Sequence, residues 1–261
     1  MSAFDTTWLD LREPADHAAR DETLLEAARA FLRGGGPSPL AVDLGSGTGS
    51  TLRAFGPDAA VRWRLVDHDP RLLDAALVRL EGFDAVERVV ADLGTLPADA
   101  LAGARLVTAS ALFDLASRAV VERIAARLAA GRIGLYAALN YDGSTNWDPP
   151  LELDSEVLAA FNAHQRGDKG LGAALGPSAA EALRTAFEAQ GYVVRVAPSP
   201  WRLGADQRPL RDALLAGFVD AVGETGAVEA TGLADWARAR RERPAAARVG
   251  HWDVLALPPE D

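Results

Sequence analysis

A chain of 261 residues with 49% hydrophobic content can bury one large core and an appended layer. Its net charge of −10 disfavours nucleic acid, whose phosphates are gripped by basic faces, and its lack of cysteine excludes disulfides, thiol nucleophiles and thiolate metal sites. No apolar run approaches the ~20 residues of a membrane span, and the opening MSAFDTTWLD is acidic where a leader is basic, so a soluble, cytoplasmic protein without a membrane partner, acting on a small molecule, is expected.

Residues 22–33, ETLLEAARAFLR, place apolar side chains at helical intervals and stop at Gly34-Gly35-Gly36-Pro37. A buried strand begins near Leu40 and runs into a glycine-rich turn. A second strand is predicted over 62–67, and a helix over 70–80 with proline in its first turn. Strands follow at 86–91 and 104–109, a helix at 118–130 ended by Gly131, and a strand at 132–139. A helix at 177–190 and strands at 192–197 and 252–257 complete the pattern. Such alternation predicts an α/β fold, a doubly wound, mostly parallel seven-stranded sheet with helices on both faces. One domain is expected, with a helical cap (1–37), a core (38–139), an insertion at 140–176 read as a helical lid, and a C-terminal part (177–261). Residues 205–243 carry two helical patterns, read as packing on the sheet edge, with a homodimer contact as the alternative.

The turn is the most informative stretch. Asp43 stands at the strand end, and Gly45, Gly47 and Gly49 let backbone approach a ligand closely. The dinucleotide fingerprint needs its third glycine where Ser50 stands. A carboxylate beside the loop repels a pyrophosphate but suits a ligand bearing an ammonium and a sulfonium. The run Asp43-Leu44-Gly45-Ser46-Gly47-Thr48-Gly49 resembles the nucleotide loop of the class I, Rossmann-like S-adenosylmethionine-dependent methyltransferases of small-molecule type, and the resemblance covers roughly residues 38 to 140 by motif.

This resemblance implies an enzyme with S-adenosyl-L-methionine as cofactor and an antiparallel last strand inserted beside the fifth. It assigns the ribose hydroxyls to Asp67, with His68 beside it, and the adenine to Asp92 and the backbone of Leu93. Asp43, Gly45, Ser46, Gly47 and Gly49 form the loop, and Ser110 passes under the methionine portion. In relatives of this fold an arginine from a helix before the sheet binds the methionine carboxylate, for which Arg12 and Arg20 are the candidates.

Methyl transfer requires alignment of the acceptor and exclusion of water, and a base only when the acceptor carries a proton. Candidates for that base are His164 in the lid, Asp114 after the fourth strand and Tyr141 after the fifth. Asp114, Asp142 and Asn140 have the oxygen-donor character of a catechol-type metal site, but their spacing is not diagnostic and no metal is assigned. Asp148-Pro149-Pro150-Leu151 follows the wrong strand and lacks the aromatic of the amino-methyltransferase tetrapeptide. Trp147, Trp201, Tyr141 and Phe161 are candidate walls of an apolar acceptor pocket, and Arg166, Asp168 and Lys169 a polar cluster beside it. Two other readings share the fold: an aminopropyltransferase using the decarboxylated cofactor, and a noncatalytic cofactor-binding protein. An NAD-dependent dehydrogenase is disfavoured by Asp43 and the glycine spacing.

Overall fold

The computed structural model describes residues 6–242 and 246–259. Residues 1–5, 243–245 and 260–261, which belong to the predicted cap, insertion and C-terminal part, lie outside the described residues. Two helices, α1 (Thr6–Ala19) and α2 (Glu22–Arg33), precede the sheet. Asp21 starts α2 by accepting from the Leu24 amide at 2.8 Å, and Leu24, Leu25, Ala28 and Leu32 form its buried stripe.

There follow β1 (Leu40–Leu44), α3 (Ser50–Phe55), β2 (Arg62–Asp67), α4 (Pro70–Leu77), β3 (Val86–Val90), β4 (Ala104–Ser110), α5 (Arg118–Ala130) and β5 (Gly134–Asp148). The second half contains α6 (Asp154–Gln165), α7 (Ala179–Glu188), β6 (Val193–Pro198), β7 (Trp201–Leu203), α8 (Arg208–Thr225), α9 (Ala230–Glu242) and β8 (Ala246–Leu257). The strands lie in the order β3-β2-β1-β4-β5-β8-β6, with β7 on β8. The first five pair in parallel, and β8 is antiparallel to both β5 and β6. Strand order therefore reverses between β1 and β4, which is where open α/β sheets hold ligands beyond their carboxyl ends.

Side chains alternate across the central strands. Val42, Val107, Leu135 and Val254 face the core under α5 and α7, whereas Ala41, Leu106, Tyr136 and Leu255 face the core under α2, α3 and α4. Burial on both faces explains why these strands read as apolar runs.

Two features differ from the sequence expectation. The sheet has eight strands because the three residues of β7 join β8, too short a segment to show a period of two. The predicted lid also begins as strand: β5 continues to Asp148 and forms a ribbon with residues 246–252. Its polar residues and Gly143 give it the composition of a loop, and only the partner strand satisfies its backbone. The rest of the insertion supplies α6, which packs with α8 and α9 on Trp147, Trp201 and Val249 in a third core. Residues 205–242 thus pack within the chain, with Phe161 and Phe218 stacked at 3.9 Å.

Candidate active site

Asp43, on β1, is buried opposite Thr108 of β4, and its Oδ1 accepts from Thr108 Oγ1 at 2.7 Å. Its Oδ2 is buried without a hydrogen-bond partner. Burial pushes this carboxyl up to about 7, against the opposing effects of Thr108 and the Arg20 charge. Beyond it, Gly45, Gly47 and Gly49 have φ of 61°, 52° and 81°, in the left-handed region that other residues enter at a cost. A side chain at Gly45 would meet Leu112 at 2.9 Å, and one at Gly47 would meet Leu9 of α1 at 3.3 Å. The helical cap therefore lies directly over the loop.

Asp67, at the end of β2, fastens the loop from the other side. Its Oδ2 accepts from the Gly47 amide at 2.8 Å and its Oδ1 from the Asp69 amide at 3.0 Å, with His68 Nδ1 3.2 Å away. A carboxylate has about four acceptor sites, so this buried group retains capacity for further donors. Asp92 follows β3 with an exposed side chain that accepts from the Gly94 amide at 2.6 Å, and Leu93 opens a short 3-10 turn against the core. At the end of β4, Ser110 Oγ accepts from Arg20 Nη2 at 3.2 Å. Ala111 then turns into the left-handed region with φ of 49°.

The structure separates the two candidate arginines. Arg12 is tied to Asp16 of its own helix at 2.8 and 3.2 Å, with its guanidinium 5.1 Å from the Trp201 ring. Arg20 is buried beside the loop, and its Nε and Nη1 are buried without partners. Burial opposes its charge, but Tyr136, Asp253 and Asp16 hold its pKa above the ordinary value. Arg20 is thus a buried cation beside the loop with two unpartnered nitrogens, whereas Arg12 is paired with Asp16.

Asp114 follows β4, and its charge reaches Tyr141, which lies within β5 rather than after it because that strand continues to Asp148. Asp114 is partly exposed, with Oδ1 buried and unpartnered. Burial raises its carboxyl to about 6, eased by its own backbone amide and by the Arg12 charge. Tyr141 is buried, which pushes its hydroxyl up to about 12; Thr145 opposes the shift, while Asp142 and Asp114 add to it. His164 does not join them: it lies on α6 with Nε2 2.9 Å from Glu224 and Nδ1 3.2 Å from Lys169 Nζ. Asn140 and Asp142 are engaged within the ribbon, Asn140 Nδ2 with the Ala137 and Trp252 carbonyls and Asp142 Oδ1 with Ser144. Among the described residues no three His, Asp or Glu side chains gather as a metal site, and no helix is long and apolar enough to cross a membrane. A cavity of about 200 Å³ lined by Ala15, Ala18, Ala19, Pro200, Arg202 and Gln207 contains no acid, base or nucleophile and is separate from the loop.

Two residues were missed by sequence reasoning. His251 on β8 pairs across the ribbon with Tyr141, and their rings are 6.2 Å apart. Asp253, fully buried, accepts from the Asp21 amide at 3.0 Å, Tyr136 Oη at 2.8 Å and the Leu139 amide at 2.9 Å. A signal existed in the alternation of β8, which puts both on the same face as Leu255.

No family model and no curated protein matches the chain. Solved structures do share its fold. The YcgJ protein of Bacillus subtilis matches with a TM-score of 0.53 at 15% identity, covering 92% of this chain and 100% of that one. A cyclopropane synthase from Mycobacterium tuberculosis matches with a TM-score of 0.51 at 14% identity, covering 97% and 94%. A candidate methyltransferase from Bacillus halodurans matches with a TM-score of 0.51 at 13% identity, covering 90% and 100%. With the strand order above, these likenesses establish that the chain has the class I, Rossmann-like methyltransferase fold.

Proposed function

We propose that the chain transfers a methyl group from S-adenosyl-L-methionine to an oxygen, nitrogen or carbon of a small metabolite. One observation carries this reading: a buried guanidinium and a buried carboxylate, each with an unpartnered polar atom, flank the same glycine loop. Arg20 Nε and Nη1 suit an α-carboxylate, and Asp43 Oδ2 suits an ammonium, so the pair fits the amino-acid end of this cofactor. Asp67 and Asp92 then supply acceptors for ribose hydroxyls and an adenine amino group. Leu9 and Leu112 offer apolar cover over the loop.

When bound, the cofactor supplies a methyl group activated by a sulfonium. The protein aligns the acceptor and excludes water through α1. Asp114 accepts the proton of an acceptor O–H or N–H on its Oδ1, because burial holds its carboxyl closer to neutrality than an ordinary aspartate. The unpartnered Nε and Nη1 of Arg20 also favour the cofactor that retains its carboxylate, which argues against aminopropyl transfer.

Calorimetric titration with S-adenosylmethionine, S-adenosylhomocysteine and NAD tests the reading, with Asp67→Ala as control. Micromolar binding of the first two, lost in the variant, is the expected result. Binding of NAD alone overturns it, and tight cofactor binding without turnover across an acceptor panel favours a noncatalytic binding protein.

A further inference from the structure

We propose that His251, with Tyr141, Ser199 and Asp114, forms the acceptor site, and that this site takes an uncharged aromatic ring bearing a hydroxyl group. The inference rests on the methyl-transfer reading for its purpose, but its geometry is independent of the cofactor loop.

The β5–β8 ribbon sets Tyr141 opposite His251, and Trp201 lies on His251 at 5.2 Å between ring centroids. Trp8 stands edge-on to Trp201 at 6.3 Å, and Phe161 edge-on to Tyr141 at 5.9 Å. These rings make an aromatic wall on the carboxyl side of β4 and β5. Tyr141, Trp201 and His251 are buried, whereas Trp8, Arg12, Leu112 and Asp114 are partly exposed. The wall therefore lies beneath partly exposed groups of α1 and of the turn after β4.

The four residues each carry a buried, unpartnered polar atom: His251 Nδ1, Tyr141 Oη, Ser199 Oγ and Asp114 Oδ1. Buried polar groups are nearly always hydrogen-bonded, so four such atoms around one wall point to a ligand with hydroxyl groups. His251 and Tyr141 are more than nine-tenths buried, at 6% and 8% exposure. Ser199 is held in place by its amide, which donates to the His251 carbonyl at 2.8 Å.

The charges select a neutral molecule. Arg12 already stands over the Trp201 and Trp8 rings at 5.1 and 5.9 Å, which excludes a second cation from those faces. Its charge reaches both Asp114 and His251, but Asp16 neutralises it. Asp114 repels an anion. Burial and the Arg12 charge keep His251 neutral, so it acts as a hydrogen-bonding group rather than a charge. Flat, largely apolar walls with a few convergent polar atoms favour a ring over an aliphatic chain.

The test is binding of phenol to the full chain, with and without S-adenosylhomocysteine, against toluene, cyclohexanol and benzyltrimethylammonium. Phenol is expected to bind best, in the roughly millimolar range suited to so small a ligand. His251→Phe keeps the ring packing and should weaken phenol about tenfold with S-adenosylhomocysteine affinity unchanged, whereas His251→Asn, which returns a polar atom near the Nδ1 position, should restore most of the loss. Equal binding of toluene or cyclohexanol, preference for the cation, or indifference of phenol to both variants overturns the proposal. If phenol binds and S-adenosylhomocysteine does not, the acceptor site stands and the cofactor reading falls. If S-adenosylhomocysteine binds and phenol does not, the outcome is reversed.

Discussion

Arg20, between α1 and α2, donates from Nη2 to Ser110 Oγ at 3.2 Å and so ties the helical cap to the end of β4 across 90 positions of sequence. Its Nε and Nη1 are buried without a hydrogen-bond partner. Arg20→Gln should lower S-adenosylhomocysteine affinity about a hundredfold, the order seen when one partner of a buried charged contact is truncated. A decarboxylated cofactor should lose far less. Ser110→Ala removes only a positioning contact and should cost about 1 kcal/mol of binding. Calorimetry on both variants decides the matter, and equal losses for the two cofactors would take the carboxylate away from Arg20.

Asp43 makes folding stability depend on pH in an unusual direction. Its folded carboxyl sits at about 7, above the ordinary value of 3.8, because burial disfavours the charge. The folded chain therefore holds this proton more tightly than the unfolded chain, and stability falls as pH rises from about 4 to about 7. Asp43→Asn should raise the melting temperature most at pH 8, with the gain fading by about pH 4, while weakening cofactor binding. A gain that is constant across this range would show that the carboxylate is not the cause.

His251 works in the opposite window. Burial, followed by the Arg12 charge, lowers its pKa from 6.5 to about 3. As pH falls through 6.5 the unfolded chain gains a proton that the folded chain refuses until about 3, so acid stability is lost. Relative to the parent, His251→Phe should gain stability between those values. Thermal melts at pH 7 and pH 4 measure the difference, and parallel changes in both proteins contradict the assignment.

The cap is held on the glycine loop by polar contacts. Arg53 binds Glu13 at 2.5 and 2.7 Å and the Thr48 carbonyl at 2.7 Å, His17 Nε2 lies 3.0 Å from the Ser50 carbonyl, and Arg79 pairs with Asp10. Partly exposed ion pairs contribute about 1 kcal/mol or less to stability and weaken with salt. Glu13→Gln should therefore leave the melting temperature nearly unchanged and speed S-adenosylhomocysteine release several-fold. Stopped-flow release rates that ignore both the substitution and added salt would show that α1 does not gate the site.

His164 and Asp114 separate cleanly as candidate bases. His164, on α6, is paired with Glu224 of α8 and with Lys169, so His164→Ala should leave kcat within about twofold. Asp114→Asn keeps the shape but not the basicity, and should lower kcat about 10²- to 10⁴-fold for a proton-bearing acceptor. A pH–rate profile whose acidic limb disappears in the asparagine variant would identify the titrating group.

The glycine loop was legible because its determinants are local. Asp43 and Asp67 close strands whose apolar patterns mark them, the three glycines follow at once, and the helix at 118–130 ends where Gly131 predicts. The β5–β8 ribbon was less so. Residues 140–148 have the composition of a loop and become strand only because 246–252 pairs with them. His251 stands alone in sequence, and its significance lies in Tyr141 and Trp201 beside it.

By itself the sequence determined the alternation of strands and helices, the sharp turn after β1 and the acids at strand ends, since hydrophobic period and backbone freedom act over a few residues. Tertiary structure paired Arg12 with Asp16 and buried Arg20 beside the glycine loop, tied His164 to Glu224 and Lys169, and joined Asp253 to Asp21 across 232 positions. It also decided protonation: Asp43, Asp114 and His251 depart from their ordinary values because packing removes water from them. Desolvation belongs to the folded chain as a whole, and no local pattern of residues encodes it.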